Sequence, residues 1–317
     1  MNEDFDLDAL LAAHPDFLVE DILRTSTPFA EAYKSYETAL PRGYLSQSQT
    51  GAYLKCGHAY ELRYVLGAST PSNSSMAQGS AVHAAGDALV KSIIVNAPIT
   101  IEAIEASYSD AHDKYFDPNN DLILAEDDQD LGVVKDRGLD LVRLYHRGVL
   151  GQHVEPVGKG ETLGPPLRAL MPIASERAIH ATLTPKDAAG NPTHEPVPFV
   201  AILDIEEPHV VRDLKVRRKL PVLTEAENSL QLSIYAGVTD KSFVSIDALI
   251  RPSAKLPARY KRFEAMAPPE AKNHAATIVA EVADDIRAGR FRRTSPENWW
   301  CSAGWCGYWN ICRGKKL

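Results

Sequence analysis

The chain has 317 residues, of which 44% are hydrophobic and 24% charged, and carries a formal net charge of −8. That composition, without a repeat or a low-complexity tract, excludes fibrous and disordered classes. The acidic start MNEDFDLDALLAAHPDF has no basic n-region of a secretory signal, and no apolar run approaches the roughly 20 residues that span a bilayer. A soluble, intracellular protein is expected. Charge is unevenly spread: residues 1–210 hold 15 Lys/Arg against 31 Asp/Glu, and residues 211–317 hold 19 against 11. The basic residues cluster at 212–219, 251–262, 287–293 and 313–316. Such clusters form either the footprint for a polyanion or a set of solvated helix ends and strand edges.

In chain order, residues 1–43 read as a helical extension. A helix capped by Ser46 is expected over SQSQTGAYLKCGHAYELRYVLG, ended by Gly67 and carrying Cys56. STPSNSSMAQG (69–79) reads as a loop and GSAVHAAGDALVKSIIV (79–95) as a helix. Further helices are expected over 100–115 and 131–150, joined by the acidic stretch 117–130. From 175 the text becomes β-branched: SERAIHATL, VPFVAILDIEE, HVVRDLKV and SFVSIDALIR read as strands, with a helix over 227–240 before the last. ARYKRFEAM adds an edge strand, and 269–289 forms a long amphipathic helix with Pro at its start and Gly at its end. The expected class is α/β (α+β), a mixed sheet flanked by helices. Residues 44–317 form one domain, with 84–170 as a helical elaboration, 172–251 as the core sheet and 269–317 as a C-terminal helix and Cys-rich tail.

VPFVAILDIEEPHVVRDLKV carries the chemistry. With a two-residue turn at Glu207-Pro208, Asp204 lies across from Val211 and Ile202 from Asp213. Period-two alternation then puts Asp204, Asp213 and Lys215 on one face, the carboxylates diagonal neighbours. Two acids and a base on one face of an apolar strand call for something that offsets their desolvation, such as a divalent cation; a wet, charged face is the alternative.

Asp204, Asp213-Leu214-Lys215 and Gln231-Leu232-Ser233-Ile234-Tyr235 resemble, in order, the signature of RecB-type PD-(D/E)XK nucleases. GSAVHA resembles that family's G-x-x-x-H motif and LSQSQTGAYLKCGHAYELRYVLG its opening helix. The resemblance implies a restriction-endonuclease-like αβββαβ core. It also implies a metal-dependent DNA nuclease, of exonuclease type, that binds Mg²⁺ or Mn²⁺ through His83, Asp204, Asp213 and the Leu214 carbonyl. Lys215 would act on the attacking water, with Gln231 and Tyr235 as further members of the catalytic set. Glu176 lies where relatives often have an acid, and a surface glutamate is an equal reading. Arg217, Arg218 and Lys219 would contact the DNA backbone without sequence readout.

Three of the four cysteines lie in CSAGWCGYWNIC (301–312), and the fourth is Cys56. In the iron–sulfur branch of this family, one upstream and three downstream cysteines hold a 4Fe–4S cluster. Cys56, Cys301, Cys306 and Cys312 fill those places, although four residues separate Cys301 from Cys306 where two are common. Four thiolates suit a cluster or zinc, and the ligand set alone does not decide. No G-x-x-x-x-G-K-[ST] loop occurs, so a helicase motor is not in this chain and would be a partner. The resemblance further implies a cytoplasmic role in phage or bacterial DNA recombination, repair or CRISPR adaptation. A DNA-binding subunit without activity is the competing reading.

Overall fold

The structure, a computed structural model, describes residues 40–313 except 71, 121, 126–127, 129, 153–166 and 254–255. The expected extension at 1–43 falls almost wholly outside the described residues, as do Lys315 and Lys316 of the last basic cluster. Strand β1 (Leu45–Ser46) runs into helix α1 (Gln47–Lys55), where the Ser46 hydroxyl accepts from the Gln49 N–H. The helix does not continue as expected. At Cys56 the backbone is extended (φ −166°, ψ 109°), and α2 (Gly57–Tyr60) restarts before a π-helical turn, Glu61–Val65. The physical reason is tertiary. A Cβ on Gly57 would lie 2.9 Å from the Arg292 nitrogen, and the His58 N–H donates to the Arg292 carbonyl at 3.2 Å. The C-terminal segment is packed against this break, and Cys56 sits in it rather than on a helix.

Short strand β2 (Ser72–Asn73) precedes α3 (Ser74–Ile94), which begins five residues earlier than the expected 79. Asn73 accepts from the Met76 N–H at 2.9 Å, so the polar run SNSS acts as a helix start rather than a loop. Helix α4 (Ile101–Tyr115), strand β3 (Leu122–Ile123) and helix α5 (Leu131–Val149) follow, with β3 pairing in parallel with β2. Thr100 and Asp130 cap the two helices.

The remaining elements are β4 (Ala174–Leu183), β5 (Val197–Glu206), β6 (Val210–Arg217), α6 (Leu230–Thr239), β7 (Phe243–Ile250), β8 (Arg259–Met266), α7 (Pro269–Arg287) and α8 (Trp309–Arg313). The six strands other than β2 and β3 form one mixed sheet. β4 and β5 are antiparallel over their whole length, β6 and β7 are parallel, and β7 and β8 are antiparallel. The other edge of β5 is shared: β1 pairs in parallel at Phe199 and Val200, and β6 pairs antiparallel at Ile205 and Glu206. One apolar layer packs Phe199, Leu203, Val211 and Ile246 against α6 and α7. The other packs Ile205, Leu214 and Leu249 against α3, α4 and α5. The expected mixed sheet flanked by helices, with β4, β5, β6, α6 and β7 in βββαβ order, is the observed architecture.

The β5–β6 turn is one residue later than expected. Glu207 N–H donates to Val210 O at 2.9 Å, which makes Pro208-His209 the turn pair. Ile205 then faces Arg212 and Glu206 faces Val211, and continuing that register puts Asp204 across from Asp213, not Val211. The shift is two in register, which by alternation alone would keep both acids on one face, but Leu203 and Ile205 pack in opposite layers, so β5 does not alternate simply through Asp204.

Candidate metal centre and cysteine module

Beyond Ile205 the β5–β6 ladder stops, and the Asp204 carboxylate takes over as partner: its Oδ2 accepts from the Leu214 N–H at 2.8 Å. Asp204 therefore stands between the parting strands. α3 brings His83 alongside, with Nδ1 3.6 Å from Asp204 Oδ2. β4 brings Glu176, which the β4–β5 register sets opposite Asp204. His83, Glu176 and Asp204 offer ligand atoms that all lie within 4.8 Å of one another. Glu176 has a left-handed backbone, φ +48°, which a residue with a Cβ adopts at a cost of about 1–3 kcal/mol. Its importance in the site depends on cross-strand register and on that backbone turn, neither of which the nine letters SERAIHATL announce.

On β6, Asp213 is 3% exposed and meets Lys215 Nζ through Oδ1 at 2.8 Å. From α6, Gln231 Nε2 donates to Asp213 Oδ1 at 2.9 Å and lies 3.4 Å from the Tyr235 hydroxyl, while Lys215 Nζ donates to Gln231 Oε1 at 3.4 Å. The i,i+4 spacing on α6 is what lets Gln231 and Tyr235 act together. Lys215 lines two adjoining grooves, one with His83, Glu176 and Asp204 and the other with Asp213 and Gln231. His83, Asp204, Asp213, Lys215, Gln231 and Tyr235 are thus all brought together.

The electrostatics are those of a site with too much negative charge. Burial pushes the Asp213 carboxyl up to about 6, with Asp204 adding repulsion against the pull of Lys215. Burial likewise raises Asp204. Desolvation of its carboxyl in the groove pushes Glu176 up to about 7, with Asp204 and Asp87 adding to it; because the residue as a whole is exposed, the shift is screened more than that of the buried Asp213. Burial and the Lys215 charge lower His83, which favours the neutral imidazole that ligates metals. Three carboxylates, a neutral imidazole and one ammonium leave room for a divalent cation in charge terms. The oxygen-rich donor set suits Mg²⁺ or Mn²⁺.

The basic clusters behave differently from one another. Arg212 on β6 is 0% exposed, Arg251 just after β7 is also buried, and the Arg262 side chain is largely covered. Arg212 lies on Glu207, Asp247 and Glu264, and Arg262 hydrogen-bonds the Gly148 carbonyl. These members of the 212–219 and 251–262 clusters belong to the interior and not to a surface footprint. Arg217 is paired with Glu225, while Arg218 and Lys219 are exposed. Arg290, Arg292 and Arg293 are exposed.

At the other end of α1, Cys56, Cys301, Cys306 and Cys312 line one cavity of about 200 Å³. Tail and front are joined around it: Trp300 Nε1 donates to the Lys55 carbonyl and the Tyr308 hydroxyl to the Ala68 carbonyl, both at 3.2 Å. Burial raises the Cys306 thiol, and the other three cysteines reinforce the shift.

A family model described as the PD-(D/E)XK nuclease superfamily matches residues 44–313. The chain belongs to that superfamily. PD-(D/E)XK nucleases hydrolyse phosphodiester bonds with Mg²⁺ or Mn²⁺, which accords with the acid group found between β4, β5 and α3. A solved structure titled "Crystal structure of SSO0001" is similar at 20% identity over 45% of this chain and 61% of that one, with a TM-score of 0.30. No curated protein matches. Among the described residues no helix is long and apolar enough to cross a membrane.

Proposed function

We propose that this PD-(D/E)XK chain is a DNA exonuclease of the RecB-type iron–sulfur branch, acting in the cytoplasm in DNA recombination, repair or end processing. The observation that carries the reading is the convergence of His83, Glu176, Asp204, Asp213, Lys215 and Gln231, from five elements, on adjoining grooves. A subunit that only binds DNA would have no use for the surplus of buried acid.

His83, Asp204, Asp213 and the Leu214 carbonyl, with Glu176 added, hold the cation. When bound, Mg²⁺ or Mn²⁺ lowers the pKa of its water and neutralises the non-bridging phosphate oxygens. Lys215 orients the attacking water from between the two grooves and compensates negative charge that develops on the phosphate. Gln231 fixes Asp213 and Lys215 relative to each other, and Tyr235 holds Gln231. Arg218 and Lys219 contact the DNA backbone, and Arg217 joins them only by leaving Glu225. The four cysteines hold a 4Fe–4S cluster.

The test is a time course on end-labelled linear and closed circular DNA with Mg²⁺ or Mn²⁺, using anaerobically purified protein. Digestion of the linear form alone is expected. Nicking of the circle would replace the exonuclease assignment with an endonuclease, and no cleavage of either would refute the reading.

A further inference from the structure

The four tryptophans of the chain all lie between 299 and 309. Trp299 and Trp305 are 63% and 68% exposed, and their rings meet edge-to-face at 4.9 Å. Large exposed indoles are uncommon away from binding surfaces. Cations accompany one of them: Trp305 lines the cysteine cavity together with Lys55, Arg63, Arg293 and Arg313, all four exposed, and the described lining includes no acid. The surface continues toward the metal centre. Gly307 is packed so closely on Thr70 that a Cβ there would lie 2.8 Å from the threonine side chain. Thr70 in turn lines a groove with Met76, Ser80 and Tyr115, which are also walls of the groove holding His83, Glu176 and Asp204.

We infer that the Trp299–Trp305 face is a stacking platform for an unpaired DNA strand, leading that strand past Thr70 to the metal centre. An indole face takes the flat side of a base, which a single strand offers and a duplex covers with its neighbouring bases. The cations around Trp305 meet the phosphates between stacked bases. The class of substrate is therefore single-stranded DNA, or a duplex with a single-stranded end, read without sequence preference. The use of the platform rests on the nuclease reading; its existence as a binding surface does not.

The test uses the full chain, purified anaerobically and carrying Asp213→Asn to prevent cleavage. Anisotropy of fluorescein-labelled oligo(dT) and of a blunt duplex is measured for this parent, for Trp299→Ala/Trp305→Ala and for Trp299→Phe/Trp305→Phe. The alanine pair is expected to lose about tenfold or more in affinity for oligo(dT), with little change for the duplex, and the phenylalanine pair to recover most of it. Binding should also quench indole fluorescence. Unchanged oligo(dT) affinity in the alanine pair, with its circular dichroism intact, overturns the platform whether or not wild type cleaves DNA. If wild type cleaves nothing but binding depends on the tryptophans, the nuclease reading falls and the platform stands. A parent that ignores oligo(dT) but whose indole emission shifts with phosphatidylglycerol vesicles would overturn it in favour of a lipid surface.

Discussion

Two clusters of buried charge occupy neighbouring residues of one strand. Around Arg212, three guanidiniums (Arg168, Arg212, Arg262) meet three carboxylates (Glu207, Asp247, Glu264), and the Tyr260 and Ser245 hydroxyls donate to Asp247 at 2.6 and 2.7 Å. Around Asp213, the two carboxylates of Asp204 and Asp213 share Lys215, with the Glu176 carboxylate beside them. The first cluster is closed: each charge has its partner, and the Arg212 guanidinium is held firmly protonated by Asp247 and Glu207 despite the penalty of burial. The second is incomplete, and its carboxyls are pushed toward neutrality. Balanced buried charge belongs to the scaffold, whereas unbalanced buried charge calls for a ligand.

The sharpest way to break this contrast is to remove one member from each side. Arg212→Ala leaves three carboxylates without their common partner and should cost about 3–5 kcal/mol in urea unfolding. Asp213→Asn should instead lower kcat about 10²–10³-fold or more while leaving stability unchanged or improved, since it relieves repulsion. A destabilised Asp213→Asn protein, or an Arg212→Ala protein as stable as wild type, would erase the distinction between the clusters.

A pH series sharpens it. The raised Asp213 carboxyl binds its proton more tightly in the fold than in the unfolded chain, whose carboxyl titrates near its usual value. Its contribution to stability is therefore full below about pH 4 and is lost as pH rises through about 6. A cation must displace that proton. Stabilisation by Mg²⁺, about 2.7 kcal/mol at a hundredfold excess over its Kd, should thus be present at about pH 8 and largely absent at about pH 5. Melting temperatures with and without Mg²⁺ measure it, and a larger Mg²⁺ shift at the lower pH would contradict the site.

Much of this contrast could not be seen in the sequence. The strands from 174 to 266 were legible because β-branched runs ended at turn residues, and the order Asp204, Asp213-Leu214-Lys215, Gln231 was legible as a motif. Arg212 sat in the same letters as its basic neighbours, and only the burial of one strand face separates it from them. Glu176 looked like any strand glutamate until register and a left-handed φ turned it toward Asp204. The break at Cys56 carried no Gly-Pro signal other than Gly57, because its cause, the Arg292 backbone, lies 236 residues later in the chain.

The smallest effect is expected at the far end of α1. Cys306→Ala should remove visible absorbance and expose the 301–313 segment to protease, with the sheet and its melting behaviour less affected than by Arg212→Ala. Equal protease resistance in the variant, with no iron or sulfide in anaerobic wild type, would remove the cluster from the account.

The side-chain partner of the Leu214 amide has one more consequence. At that point the sheet is completed by a carboxylate instead of a neighbouring strand, so the state of Asp204 decides how long one backbone hydrogen stays shielded from solvent. Deuterium uptake at the Leu214 amide becomes a single-site gauge of the metal centre, readable in a chain that turns over nothing. Slower uptake on adding Mg²⁺ would register the ion tightening the same carboxylate that closes the gap between the strands.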